Sequence, residues 1–367
     1  MTQSLAPEYY TRFLSDAAKE RNPSPIRELY PLEARPGVIS LLAGKPNATT
    51  FPFTSIKLTA RSPTDPSREI ETEVNGKALA EGLQYGPTAG LPSLCEWVYE
   101  LQAREHGRKK GEGWRVSIGA GSQDVIYKAV MAMVNPGDSV LVECPVYAGV
   151  LPMFQALHCD LIDDPYYYLY YGDAQRYPSY FTLELQQPEV GRVLRFDSLS
   201  KILSSGIRIG FASGPEPLLQ AIDMHTAVAN LQTSSLTQAI TYSLLDAWGY
   251  SGFKAHTETV SRFYREKRDV FEGALRRHLE GLAEWSPPEA GMFFWFKLLL
   301  GEDEGDSESI IRTKAYERGV LALPGTVFLP RGGKTAYVRA AFSLLAEDEV
   351  EEAIKRLRQT ILEARHD

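Results

Sequence analysis

The sequence predicts an α/β protein of two domains, and three observations carry that prediction. From 116 to 143 a short apolar run, a glycine-rich turn, an amphipathic helix, an Asn-Pro-Gly-Asp turn and a second apolar run follow one another, the pattern of a βαβ unit in a parallel sheet. Beyond residue 290 the pattern changes to alternating strands interleaved with helices, which reads as a separate, smaller α+β domain. The 367 residues, 44% apolar and 23% charged, suffice for two cores. The larger domain is expected over 51–255, with an N-terminal arm (1–50) and the smaller domain (256–367) outside it.

Composition narrows the function. A formal net charge of −8, with no basic run beyond 108–110, disfavours a nucleic-acid partner. No apolar stretch is long enough to span a bilayer, so no membrane role is expected. Cys95, Cys144 and Cys159 lack metal-ligand spacing and are too few for a disulfide framework, so no metal site is expected. Residues 1–20 have no apolar core and carry acidic groups, which argues against a leader and for a cytoplasmic protein.

Taken in order, the chain opens with a helical segment to about Glu20, closed by an Arg-Asn-Pro-Ser-Pro arm in which two prolines forbid helix continuation. A strand is expected at 38–42, loops at 43–47 and 83–90, and an amphipathic helix over 91–106. The βαβ unit has strands at 116–118 and 139–143 around a helix at 124–134. A helix at 148–157 and a short strand at 159–162 follow, then strands at 192–196 and 207–212. Residues 217–278 read as helical, ending in a long charged helix from about 260. The smaller domain has strands at 290–296 and 337–342 and helices at 307–318 and 347–365.

Chemistry concentrates in 197–210, DSLSKILSSGIRIG, which brackets Lys201 with hydroxyls and adds Arg208. An amine that attacks a carbonyl must be partly deprotonated, and a neighbouring cation favours that. Hydroxyls with a fork-shaped guanidinium suit a phosphate dianion. On spacing alone the stretch is equally well a serine-rich turn with solvated charges. Gly121, Ser122 and Gln123 open a helix after a strand, where free amides attract anions. Asp163 and Tyr166 offer a carboxylate and a phenol three residues apart, and Tyr147 a flat ring for stacking.

At this point the sequence resembles the fold-type I pyridoxal-phosphate aminotransferases, in particular the kynurenine/α-aminoadipate and fungal aromatic aminotransferase group. The matching stretches are RNPSPIR (21–27), LLAGKPN (41–47), LQYGPTAG (83–90), GAGSQ (119–123), ECPVYAG (143–149), DDPYY (163–167), DSLSKILSSGIRIGF (197–211), EAGMFFWF (289–296) and YVRAAFS (337–343). The resemblance implies an aspartate aminotransferase-like large domain and a homodimer. It also implies pyridoxal 5′-phosphate as cofactor, and transamination of an aromatic amino acid, kynurenine or 2-aminoadipate with 2-oxoglutarate or another 2-oxo acid. It implies further that Lys201 holds the cofactor as a Schiff base and shuttles the substrate proton, that Asp163 pairs with the ring nitrogen and Tyr166 with the ring oxygen, and that Tyr147 stacks on the ring. Ser122, Gln123, Ser198 and Arg208 would bind the phosphate, with Tyr85 reaching that of a partner subunit. Arg339 would grip the substrate α-carboxylate, while Arg27 and Gly44 would shape the side-chain pocket.

One departure is internal. Only 15 residues separate Tyr147 from Asp163, where the family has a further strand–helix–strand set with an Asn-Pro-x-Gly loop. The shortfall is roughly sixty residues, about two βαβ units. No asparagine occurs between Gly137 and Ala229, so the large-domain sheet is expected to lack a strand or more near 158–164. An impaired aminotransferase-like chain acting as a dimerisation partner is the alternative reading.

Overall fold

The computed structural model of the protein describes residues 3–23, 29, 32, 35–39, 41–42, 44–141, 145–155, 157, 167–301, 305–330 and 332–365. The chain divides into two compact units, one of residues 1–139, 156–159 and 177–256, the other of 140–155, 160–176 and 257–367. In order, the first unit runs through β1 (Gln3–Ser4), α1 (Asp16–Glu20), β2 (Ile56–Arg61), β3 (Glu69–Val74), α2 (Gly76–Leu83), α3 (Pro92–His106), β4 (Trp114–Gly119) and α4 (Ser122–Met133). It resumes with β5 (Glu189–Val190), β6 (Arg195–Ser198), β7 (Gly210–Pro215) and α5 (Glu216–Ala229), and it takes in the start of α6 (Ser235–Leu279). The second unit holds the rest of α6, then β8 (Ala283–Trp285), β9 (Phe293–Leu298), β10 (Leu323–Pro324), β11 (Tyr337–Ala341) and α7 (Glu347–Ala364). This division differs from the expected one in giving the described part of 1–50 to the first unit and in giving 140–155 and 160–176 to the second. The reason for the first difference is pairing: β1 lies parallel to β5, and the Ser15 hydroxyl donates to the Met131 carbonyl at 2.9 Å.

The first unit's sheet has the order β4–β7–β6. β7 is antiparallel to both neighbours, so β4 and β6 point the same way. Gly119, Gly210 and Ser198 pair in register, which brings the end of β4, the start of β7 and the end of β6 to one edge. Helix α4 covers this sheet because Val125, Ala129 and Ala132 recur at helical spacing on one face, packed with Ala212, Leu219 and Ile222. It begins at Gly121, whose φ of 102° a side chain rarely adopts. Asp138 accepts from the Asn135 N–H at 2.8 Å in the turn that follows it.

Two sequence expectations change here. Residues 38, 39, 41 and 42 form no strand; Ile39 and Leu41 are almost wholly exposed, with no neighbouring ladder among the described residues. Residues 139–141 likewise carry no strand assignment, and 142–144 lie outside the described residues, as does the expected strand at 159–162. The helix expected at 148–157 is the shorter Leu151–Gln155. The sequence reading also passed over the β2–β3 hairpin, which alternates half-buried apolar with exposed polar residues and pairs Ile56 with Val74 through Arg61 with Glu69. That alternation is the period-two signal of a strand.

The second unit is built on an antiparallel sheet of order β10–β11–β9–β8. Phe294, Phe296 and Leu298 point inward from β9, as its alternating burial requires. They meet Phe271 and Leu275 of α6 and, at positions 350, 354, 357 and 361, the apolar stripe of α7. Helix α6 bends at Gly249, whose φ of 61° and ψ of −179° are not helical. The expected helix at 307–318 is broken by a wide π turn over Ile311–Ala315. No helix among the described residues is long and apolar enough to cross a membrane.

Phe294 is fully buried and stacks on Phe271 with ring centroids 5.1 Å apart. Phe294→Ala should cost about 3–5 kcal/mol, read as a lower urea midpoint, whereas the same truncation at exposed Leu344 should leave the midpoint unmoved. Cys95 donates to the Ala89 carbonyl, and burial pushes its thiol up to about 12. Iodoacetamide at pH 8 should therefore leave Cys95 unmodified in the folded chain and alkylate it after unfolding, as peptide mass spectrometry would report.

Candidate active site

The sheet edge formed by Gly119, Gly210 and Ser198 gathers most of the polar groups singled out in the first unit. Residues 199–209 connect β6 to β7 as a compact loop: the Leu199 N–H donates to the Ile209 carbonyl at 3.0 Å, and the Leu203 N–H to that of Leu199 at 2.8 Å. Lys201 lies in the turn of this loop and is half-buried. The adjacent Ile202 carbonyl accepts from His256 Nε2 at 2.9 Å, so that nitrogen carries the ring hydrogen. The strand beneath is pinned by a buried bidentate pair, Arg195 Nε to Asp197 Oδ2 at 2.8 Å and a guanidinium NH2 to Oδ1 at 2.5 Å.

Arg208 closes the loop and takes a left-handed conformation with φ of 51°. Its guanidinium reaches three groups, each at 3.1 Å: the Ser200 hydroxyl, the Ser205 carbonyl and the Ala120 carbonyl in the turn before α4. That reach depends on two glycines. A Cβ on Gly121 would lie 2.3 Å from the Arg208 guanidinium, and one on Gly210 would lie 2.4 Å from both the Gly121 carbonyl carbon and the Ser122 nitrogen. The first turn of α4 is consequently pressed against the start of β7, with a cation beside it. Its N-cap, Gly121, has no side chain to offer as a cap, and the leading amides of the helix lie at this edge. Ser198 is buried, and its oxygen accepts from the Ser200 N–H at 3.2 Å, while its own O–H remains a donor. Helix-start amides, hydroxyls and a guanidinium at one sheet edge are a donor set for a dianion such as a phosphate ester. Lys201 supplies an amine on the same loop.

Ser122, Gln123, Ser198, Lys201 and Arg208 are thus brought to one edge. Tyr85, in the same unit, follows α2 with its ring more than half exposed. Its N–H donates to Gln84 Oε1 at 3.0 Å, and Gln84 Nε2 donates to the Pro46 carbonyl at 2.9 Å. Gly44 is exposed, with open space where a Cβ would stand.

Tyr147 and Arg339 belong to the second unit. The Tyr147 ring folds over Gly149, where a Cβ would come within 2.5 Å of it. Arg339 lies on β11 opposite Trp295, its guanidinium 4.0 Å from the Phe293 ring centroid and 4.9 Å from that of Phe328. Aromatic faces hold the planar cation and thin its hydration, which strengthens pairing with a carboxylate. Asp163, Tyr166 and Arg27 lie outside the described residues. The sequence reading missed His256 and Gly210. Gly210 had a signal, since it directly follows the cationic loop. His256 had none: 54 positions separate it from Ile202.

The chain matches the family model described as aminotransferase class I and II over residues 56–168 and 159–357. It is similar to aminotransferase tdiD of Emericella nidulans, 36% identical over 415 residues that cover 95% of this chain and 94% of that protein. It is similar also to the mitochondrial kynurenine/alpha-aminoadipate aminotransferase of Bos taurus, 30% identical with 97% and 99% covered. The crystal structure of aminotransferase Aro8 from Candida albicans has the same fold, with a TM-score of 0.87, 20% identity and complete coverage of both chains. The aligned span of 415 residues exceeds the 367 of this chain, so the tdiD protein carries residues inside that span that are missing here.

Gly210→Ala should force the helix start away from β7, because neither contacting backbone atom has room to yield. The expected result is about 1–3 kcal/mol of lost stability together with at least about ten-fold weaker binding of inorganic phosphate. Thermal denaturation and phosphate titration calorimetry measure the two separately.

Proposed function

The chain belongs to the class I and II aminotransferases, with pyridoxal 5′-phosphate as its cofactor, and from that premise we propose the role of each site residue and the substrates exchanged. The observation that carries the reading is the convergence of the lysine loop, Arg208 and the start of α4 on one sheet edge. Two contacts support this fit to the cofactor: the Gly210–Ser122 approach leaves no room for a side chain, and the Arg208 guanidinium stands at the turn before α4. In this reading Ser122, Gln123, Ser198 and Arg208 hold the cofactor's phosphate. Lys201 holds its carbonyl carbon. When bound, the protonated ring withdraws electrons from the amino acid's Cα–H bond. Displaced from that carbonyl carbon by the incoming amino group, Lys201 Nζ would be a free amine that takes the Cα proton and returns one at the cofactor's C4′ carbon, a transfer its flexible stem allows. Asp163 keeps the ring nitrogen protonated, Tyr166 donates to the ring oxygen, and Tyr147 stacks on the ring.

Arg339 is proposed to orient the substrate by a bidentate grip on its α-carboxylate, with Gly44 and Arg27 shaping the pocket beyond. The amino donor is proposed to be an aromatic amino acid, kynurenine or 2-aminoadipate, and the acceptor 2-oxoglutarate or another 2-oxo acid. Support comes from the names of the relatives and from the aromatic surroundings of Arg339. The exposure of Tyr85 supports a homodimer in which its hydroxyl reaches the partner's phosphate. Sparse cysteines accord with a cytoplasmic setting.

Purified protein should show a visible absorption band that is lost on adding the amino donor and restored by 2-oxoglutarate. Lys201→Ala should abolish both the band and turnover while leaving the thermal midpoint within a few degrees. A band that survives Lys201→Ala would overturn the assignment of that lysine.

A further inference from the structure

The first turn of α4 holds a carboxylate as well as amides directed at an anion. Asp124 Oδ2 accepts from the Ala120 N–H at 2.9 Å and from Lys128 Nζ at 2.9 Å. Lys128 is only 2% exposed, and its Nζ also donates to Asn230 Oδ1, just past α5, at 3.0 Å. Ala120 is therefore gripped through both its backbone groups, its N–H by Asp124 and its carbonyl by Arg208. A Cβ on Gly119 would lie 3.0 Å from Asp124 Oδ2, so the carboxylate is laid against the strand-to-helix turn itself.

Asp124 has two opposed effects at this position. It holds the turn in shape, and its negative charge repels a dianion at the neighbouring amides. A buried lysine, for its part, is costly unless its charge is paired. We propose that Lys128 is a positioning residue for the cofactor's phosphate: it neutralises Asp124, so that the carboxylate can hold the Ala120 peptide without repelling the dianion, and Asn230 fixes the ammonium in place. The inference rests on the phosphate site proposed above and adds a layer behind it. Lys128 touches neither the cofactor nor the substrate in this role; it acts through Asp124. The i to i+4 spacing on a helix makes the pair local, but its burial and the Asn230 contact set it apart from a surface pair.

The test uses the full chain stripped of cofactor and titrated with pyridoxal 5′-phosphate and, separately, with pyridoxal, both followed by visible absorption. Lys128→Met should weaken pyridoxal phosphate binding about ten-fold or more while leaving pyridoxal affinity unchanged, since pyridoxal lacks the dianion. The double variant Asp124→Asn with Lys128→Met should recover affinity to within about three-fold of the wild type, because the amide still accepts from Ala120 and carries no charge. A merely structural ion pair would leave the double variant as impaired as the single one. Unchanged affinity in Lys128→Met, an equal loss for pyridoxal, or no recovery in the double variant overturns the inference. Should Lys128→Met prove insoluble, Lys128→Gln carries the same expectations. Failure of the wild type to take up pyridoxal phosphate would overturn the cofactor site itself and this inference with it, an outcome distinct from any difference among the variants.

Discussion

The approach of β7 to the first turn of α4 is the constraint on which the rest of the first unit's site depends. Two backbones meet there because Gly210 carries no side chain, and the bare Cα of Gly121 leaves room for the Arg208 guanidinium. Only at that separation can Arg208, one turn back along the loop, reach the Ala120 carbonyl. The register Gly119–Gly210–Ser198 then fixes which ends of the strands share the edge. Amides, hydroxyls, guanidinium and lysine are placed by backbone geometry before any of their side chains choose a rotamer. Preorganisation of this kind gives a charged ligand a site without reorganisation on binding.

The second unit follows different physics. Its core is an aromatic stack, Phe271 on Phe294 with Phe342 beside them, covered by the apolar stripe of α7. On the opposite face of β9 and β11, Trp295 stacks on Tyr337 while Arg339 lies over Phe293. One face of the sheet is closed to water, and the other holds a cation among rings. Strand alternation produces both at once, since neighbouring residues point to opposite faces.

The internal shortening leaves these features in place. The curated relatives align over spans longer than this chain, and the family model matches in two segments that meet at 159–168. The segments that carry the lysine loop, the glycine turn before α4 and the second unit's sheet all fall within the matched stretches. What the first unit retains among the described residues is the group of strands that present these loops at one edge.

The sequence by itself determined the family, the lysine loop, the glycine turn before α4 and most helices, because each is written in local chemistry. Glycine where a backbone must approach, hydroxyls around an amine, and apolar residues at period 3.6 are all readable within a dozen positions. Residues 38, 39, 41 and 42 form no strand despite the sequence reading, since apolar character alone does not supply a partner ladder. That reading passed over the β2–β3 hairpin, whose apolar residues other than Val74 are only half-buried and so thinly marked. Tertiary structure alone decided that His256 holds the lysine loop, that Arg208 reaches Ala120, and that Lys128 is buried between Asp124 and Asn230. Each includes a contact between segments far apart in the chain, for Lys128 the one to Asn230. Hydrogen bonds and burial are set by distances in space, which residue order does not contain.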